Sequence, residues 1–215
     1  MNSELFETLR GRRADIIDKE KFRRAAVLVP LIEENGEYHL LFEVRSLEIP
    51  VQPGEISFPG GHISPEDKNP RETAIRETCE ELGLAEEDIE IIAPLDVLIT
   101  TFYTLVSPFV GIIKHPEKIV CEPSEVAEVF KVPLSFFFNN KPDIHQSYNS
   151  YNYDENFPFD RIPNAEHYEN MRQYRNRVYF YYYEDRVIWG ITARLAANLV
   201  EILNENNINI NQPAI

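Results

Sequence analysis

The chain has 215 residues, 43% of them hydrophobic, and carries 36 acidic against 21 basic side chains for a formal charge of −15. That length and apolar content predict one domain with extensions, spanning 1–215, and the acidic balance argues against a nucleic-acid groove, which needs a basic stripe. There is no long apolar run for a membrane helix and no signal-peptide pattern in the charged MNSELFETLRGRR, and the two cysteines, Cys79 and Cys121, suit a reducing, cytoplasmic setting.

In chain order, residues 2–10 read as a short helix. AAVLVPLI and EYHLLFEVR read as two strands joined at EENG. Glu55 to Phe58 form a short strand that ends in the sharp turn FPGGH, where Gly60 and Gly61 permit close backbone approach. A helix follows. Asn69 is its N-cap, Pro70 its first residue, Glu72 the capping-box carboxylate and Gly83 the left-handed residue that closes it. IEIIAPLDVLIT and LVSPFVGIIK supply further strands, and SEVAEVFKVPLSFFF reads as a strand and then a helical turn. Residues 139–177, polar and rich in Asn and Tyr, read as an elaborated loop or lid. RVYFYYYEDRVIWG is a strand pair turning at Glu184–Asp185, and ITARLAANLVEILNEN is an amphipathic helix. These elements predict an α/β fold, with a mixed β-sheet between helices.

The chemistry gathers in the first helix. Glu77, Glu80 and Glu81 share one side of it, whereas Ala74, Ile75, Thr78 and Leu82 give an apolar side. Like charges at this spacing oppose helix formation by ~0.2–0.5 kcal/mol per pair. A divalent cation reverses that sign, and clustered carboxylate oxygens suit Mg2+ or Mn2+, which also bind substrate phosphates. A glycine carbonyl from the preceding turn, at Gly61, offers one more oxygen. Cys79 reads as helix packing, His39, His62, His115, His145 and His167 are scattered, and no spacing suggests zinc.

The combination of strand, glycine turn and acidic helix resembles the Nudix box, whose second half runs R-E-U-x-E-E-x-G-U with U bulky and apolar. Arg76, Glu77, Glu80, Glu81, Gly83 and Leu84 fall in place, with Thr78 at the first U. Asp67 stands at the box's first glutamate, and one extra residue then precedes Arg76. Upstream, LLFEVRSLEIPVQPGEISFPGG resembles the signature of the coenzyme A diphosphatase branch, with Leu40, Leu41, Arg45, Ser46, Gly54, Phe58, Pro59, Gly60 and Gly61 matching. The branch's second arginine is Pro50 here, and its threonine position holds Phe42 or Glu43.

The resemblance implies an α/β/α sandwich and metal-dependent hydrolysis of the coenzyme A diphosphate to 3′,5′-ADP and 4′-phosphopantetheine. It implies Glu77, Glu80 and Glu81 as metal ligands, with the Gly61 carbonyl completing the shell, and Arg76 orienting a carboxylate. Arg45 and residues near Arg23 and Arg24 are candidates for the substrate phosphates, and Gly60 and Gly61 for close approach to the substrate. The general base is open between a box glutamate and Glu125 or Glu128. Expected partners are a small nucleotide diphosphate and, as one option, a second copy of the chain, without nucleic acid or membrane. Two alternatives stay open: a Nudix diphosphatase for ADP-ribose or NADH, and a binding module that kept the fold without catalysis.

Overall fold

The computed structural model describes residues 7, 9–13, 15–150, 152–166 and 173–208. The helix expected over 2–10 falls mostly outside them. Strand β1 (Arg23–Glu34) and β2 (Glu37–Arg45) pair antiparallel, with Leu31 opposite Leu40 and Glu34 opposite Glu37. Asn35 and Gly36 between them both take positive φ, 54° and 81°, as a two-residue hairpin turn demands.

Strands β3 (Ile56–Ser57) and β4 (Gly60–His62) pair with β2 and β1. Helix α1 (Pro70–Leu82) has the expected ends: Asn69 accepts a hydrogen bond from the Glu72 amide, and Gly83 closes the helix at φ 64°. Glu72 reaches back to the Lys68 amide rather than to that of Asn69. Strands β5 (Ile89–Pro94) and β6 (Leu98–Ile99) lie on β7 (Thr104–Ile113), which runs parallel to β1 from Arg23 opposite Thr104 to Leu31 opposite Ile112. SEVAEVFKVPLSFFF becomes β8 (Val126–Pro133), paired with β2, and helix α2 (Leu134–Asn139).

Period-two alternation sorts the strand side chains to two faces. Leu28, Ile32 and Leu41 meet Ile75 and Leu82 of α1 on one face. On the other, Val29, Leu31, Leu40 and Phe42 meet Phe137 and residues 195–199 of the last helix, α3 (Gly190–Glu205). Helix, mixed eight-stranded sheet and helix form the expected α/β/α sandwich.

The segment expected as loop or lid differs from that expectation. Both of its ends are strand: β9 (Asp143–Ser150) pairs with β10 (Gln173–Tyr183), and β11 (Arg186–Trp189) completes a three-stranded antiparallel sheet. Nearly all of β9 is exposed, so no apolar alternation marks it. Among the described residues, no helix is long and apolar enough to cross a membrane.

Candidate active site

Four glutamates from three elements meet beside the glycine turn. Glu81 sits on the last turn of α1 and is 4% exposed. Its Oε2 accepts a hydrogen bond of 2.8 Å from the Gly60 amide. Gly60 has φ 150°, and a Cβ there would lie 2.4 Å from the Ala26 carbonyl oxygen, so only glycine lets β4 lie this close to β1. Next to it, a Cβ on Gly61 would stand 2.4 Å from the Glu77 carboxyl. The GG pair is therefore a seat for two glutamates of the helix.

Glu43 comes from the sheet. It follows Leu41 on the face that packs against α1 and is 1% exposed. Ser57, opposite it on β3, donates a 2.7 Å hydrogen bond to Oε1, whereas Oε2 is buried with no partner. Burial pushes the Glu43 carboxyl well above the usual range. Burial, and then the Glu43 charge, do the same to Glu81. Two buried carboxylates side by side are not both ionised without a compensating cation.

Glu125 joins from the segment before β8. The Val120 and Glu122 amides cap the Leu82 and Glu81 carbonyls, and the Glu125 carbonyl accepts from the Ser46 amide. That fastens the segment to the end of α1 and to the end of β2. The Glu125 side chain is exposed, and its charge raises Glu43, Glu77 and Glu81. Glu128 is not brought here. It lies opposite Val44 on the other sheet face and forms a 2.9 Å ion pair with Arg186. Together they line a cleft of about 600 Å3 with Phe180 and Trp189. Expecting Glu128 at the carboxylate cluster was wrong about the face: along β8, residues of opposite parity point to opposite sides.

Arg76 links the remaining groups. It pairs with Glu77 at 2.8 Å and Glu80 at 2.9 Å. Asp67 holds it from behind, accepting from Arg76 Nε at 3.1 Å and Nη2 at 3.0 Å, from the Ser64 amide at 2.9 Å and from the Thr73 hydroxyl at 2.8 Å. Those donors set the Asp67 carboxyl far below its ordinary value, Arg76 foremost. Glu80 is 57% exposed and points outward, unlike Glu77 and Glu81. Arg45, half-buried, donates from Nε to the Val51 carbonyl at 3.4 Å, and its charge opposes the rise at Glu43. Arg23, Arg24 and His62 are exposed along β1 and β4.

As these side chains stand, no three His, Cys, Asp or Glu groups among the described residues converge as a finished cation site. Arg76 and the Gly60 amide instead take up carboxylate oxygens of Glu77, Glu80 and Glu81. The donor set still fits a hard divalent ion: all the groups are oxygens, one carboxylate oxygen is buried without a partner, and the missing Cβ of Gly61 lets the Glu77 carboxyl lie against the turn.

Residues 21–153 match the NUDIX domain family. The chain belongs to the Nudix hydrolase family. The family consists of enzymes acting on diphosphate-containing substrates. This Nudix hydrolase is 32% identical over 83% of its length to the uncharacterized Nudix hydrolase NudL of Photorhabdus laumondii, covering 84% of that protein. It is 38% identical over 60% of its length to the peroxisomal coenzyme A diphosphatase NUDT7 of Mus musculus, covering 53% of that protein. A MutT/nudix family protein from Enterococcus faecalis shares the fold, with TM-score 0.52 at 11% identity, over 94% of this chain and 69% of the other.

Two members of the cluster were not read as such from the sequence. Glu43 left one signal, a carboxylate inside the apolar run LLFEV. Asp67 left none beyond its place in the box, since its grip on Arg76 depends on the fold of the intervening turn. Asp67→Asn is expected to lower kcat/KM by roughly 10–100-fold, the usual loss when a supporting partner of a metal site is removed. Because the folded pKa is depressed, the stabilisation from Asp67 is complete above about pH 4 and fades as the pH falls below that. Acid unfolding of the Asn variant should therefore show a shallower pH slope; wild-type activity and slope together would exclude the clamp.

Proposed function

We propose that this Nudix hydrolase cleaves the diphosphate of coenzyme A or its thioesters to 3′,5′-ADP and 4′-phosphopantetheine, or its acyl form. The observation that carries the substrate choice is the loop 46–53. It is closed at its base by hydrogen bonds between Arg45 and Glu55 (2.9 Å) and between Gly54 and Arg45 (3.0 Å). It begins three residues after Glu43 and bears exposed Leu47 and Val51, 79% and 60% accessible. An apolar arm beside an arginine and a carboxylate cluster suits a substrate that joins a diphosphate to a pantetheine chain. The likeness to a named coenzyme A diphosphatase supports the same reading.

In this reading Glu77 and Glu81, with Glu80 at the rim and the Gly61 carbonyl nearby, hold Mg2+ or Mn2+. Such an ion supplies charge neutralisation and Lewis acidity at the diphosphate. Arg76, fixed by Asp67, keeps Glu77 and Glu80 aimed by charge-assisted hydrogen bonds. Arg45 meets a phosphate oxygen. Glu125 takes the proton of the attacking water: it is exposed beside three other carboxylates, and its segment is fastened by backbone bonds to the ends of α1 and β2. Water adds to one phosphorus, the bond from that phosphorus to the bridging oxygen breaks, and the other phosphate leaves with that oxygen. Glu128, on the opposite sheet face, takes no part.

The test is a panel of coenzyme A, dephospho-coenzyme A, ADP-ribose and NADH, with Mg2+, with Mn2+ and with excess chelator, products resolved by chromatography. Coenzyme A is expected to have the highest kcat/KM. Loss of the 3′-phosphate should lower it by an amount equivalent to roughly 1.5–3 kcal/mol if an arginine grips that group. Turnover should vanish in chelator. Equal kcat/KM for coenzyme A and ADP-ribose would make the protein a generalist diphosphatase, and full turnover in chelator would remove the cation from the mechanism.

A further inference from the structure

Glu43 lies outside the acidic helix and outside the box. Three observations single it out. It is 1% exposed on β2, in a strand otherwise filled by Leu40, Leu41 and Phe42. Ser57 engages its Oε1, which fixes the carboxyl plane. Its Oε2 is the one buried side-chain polar atom without a hydrogen-bond partner among the described residues. A buried carboxylate oxygen without a donor costs the full desolvation of that group. No lysine, arginine or amide fills the role of partner. Arg45, two residues on, instead donates to the Val51 carbonyl. The charged neighbours of Glu43 are Arg45, which offsets part of its rise, and the carboxylates Glu81 and Glu125. An orphaned carboxylate oxygen beside two further carboxylates, with the one nearby guanidinium turned to a carbonyl, suits a cation as its partner.

We propose that Glu43 is a ligand of the divalent cation, contributed by the sheet, so that the ion is held between β2 and α1 rather than on the helix alone. Glu43, from the sheet, and Glu81, from the helix, would hold it, and Ser57 serves as the positioning residue that aims Glu43. The inference rests on the cation reading above, and it adds a consequence that reading lacks. The ion ties the sheet to the helix, so its binding stabilises the packing of the two layers and not only the carboxylates of α1.

The experiment measures Mn2+ binding directly, by the electron paramagnetic resonance signal of the free ion during titration of the full chain. Thermal unfolding with and without Mn2+ is measured alongside. Wild type, Glu43→Gln, Glu43→Leu and Glu81→Gln are compared, the leucine variant filling the same space without any polar atom. Glu43→Gln and Glu43→Leu are expected to raise the Mn2+ Kd by roughly 10–100-fold and to shrink the Mn2+-induced rise in Tm. In chelator the leucine variant should melt no lower than wild type, because an unpaired buried carboxyl has been removed. A Kd within two-fold of wild type in a folded Glu43 variant, with binding lost in Glu81→Gln, overturns the role of Glu43 and leaves the helix site standing. Absence of Mn2+ binding by wild type overturns both.

Discussion

Glu81→Gln is expected to reduce kcat/KM by about 100-fold or more while the protein stays folded. The glutamine keeps the volume and an oxygen that accepts from the Gly60 amide, the 2.8 Å bond that seats the side chain. What it loses is charge, and cation-borne stabilisation of several kcal/mol is worth about a factor of ten per 1.4 kcal/mol. Stability should move the other way. In metal-free wild type the folded Glu81 carboxyl keeps its proton to higher pH than the unfolded one, because it is buried and faces Glu43. The unfolded chain then binds fewer protons, so stability falls as pH rises above about 4.3. The glutamine variant should lack that part of the slope and melt at or above wild type in chelator at neutral pH. Near-normal turnover at saturating metal would remove Glu81 from the site.

Gly60→Ala is expected to damage the fold itself. The new Cβ would meet the Ala26 carbonyl oxygen at 2.4 Å and Val27 Cα at 2.6 Å, in a backbone conformation of φ 150° that side chains rarely adopt. Those obstacles are backbone, so relief requires parting β4 from β1. Strain and overpacking together come to roughly 2–6 kcal/mol, a large share of the ~5–15 kcal/mol that holds a domain folded. A fall in Tm on the order of 10 °C follows. Gly61→Ala is the control: its obstacle is the Glu77 carboxyl, the movable end of a side chain. That variant should fold and lose activity. Equal Tm for Gly60→Ala and wild type would contradict the register of β4 on β1.

The acidic helix was legible because each of its boundaries is set by local chemistry. Asn69, Pro70 and Gly83 act within one turn of their own position, and the structure has them in those roles. The first hairpin and α3 were legible for the same reason, a turn or an apolar period contained in a few residues. Glu43 was not, because its meaning depends on which face of β2 meets α1. Glu128 was misjudged through the same parity, compounded by the shift in register between Val44 and Arg45. Strand β9 escaped because strand periodicity shows only when one face is buried, and here nearly every residue is exposed. Its strand character comes from pairing with β10.

The two edges of strand β1 are filled at different times during synthesis. β2 follows it directly, whereas the parallel partner β7 begins about eighty residues later. At ~5–20 residues per second, the ribosome leaves that second edge open for on the order of ten seconds. An unpaired edge beside Leu28 and Val29, which end up in the core, is a template for other chains. The acidic helix is made inside this interval, so Glu43, Glu77 and Glu81 are present in the chain before β7 can close the sheet beneath them, whereas Glu125 comes after it. Nascent chains that stall before Thr104 should therefore be the aggregation-prone species of this protein, and chains extended past Ile113 should not.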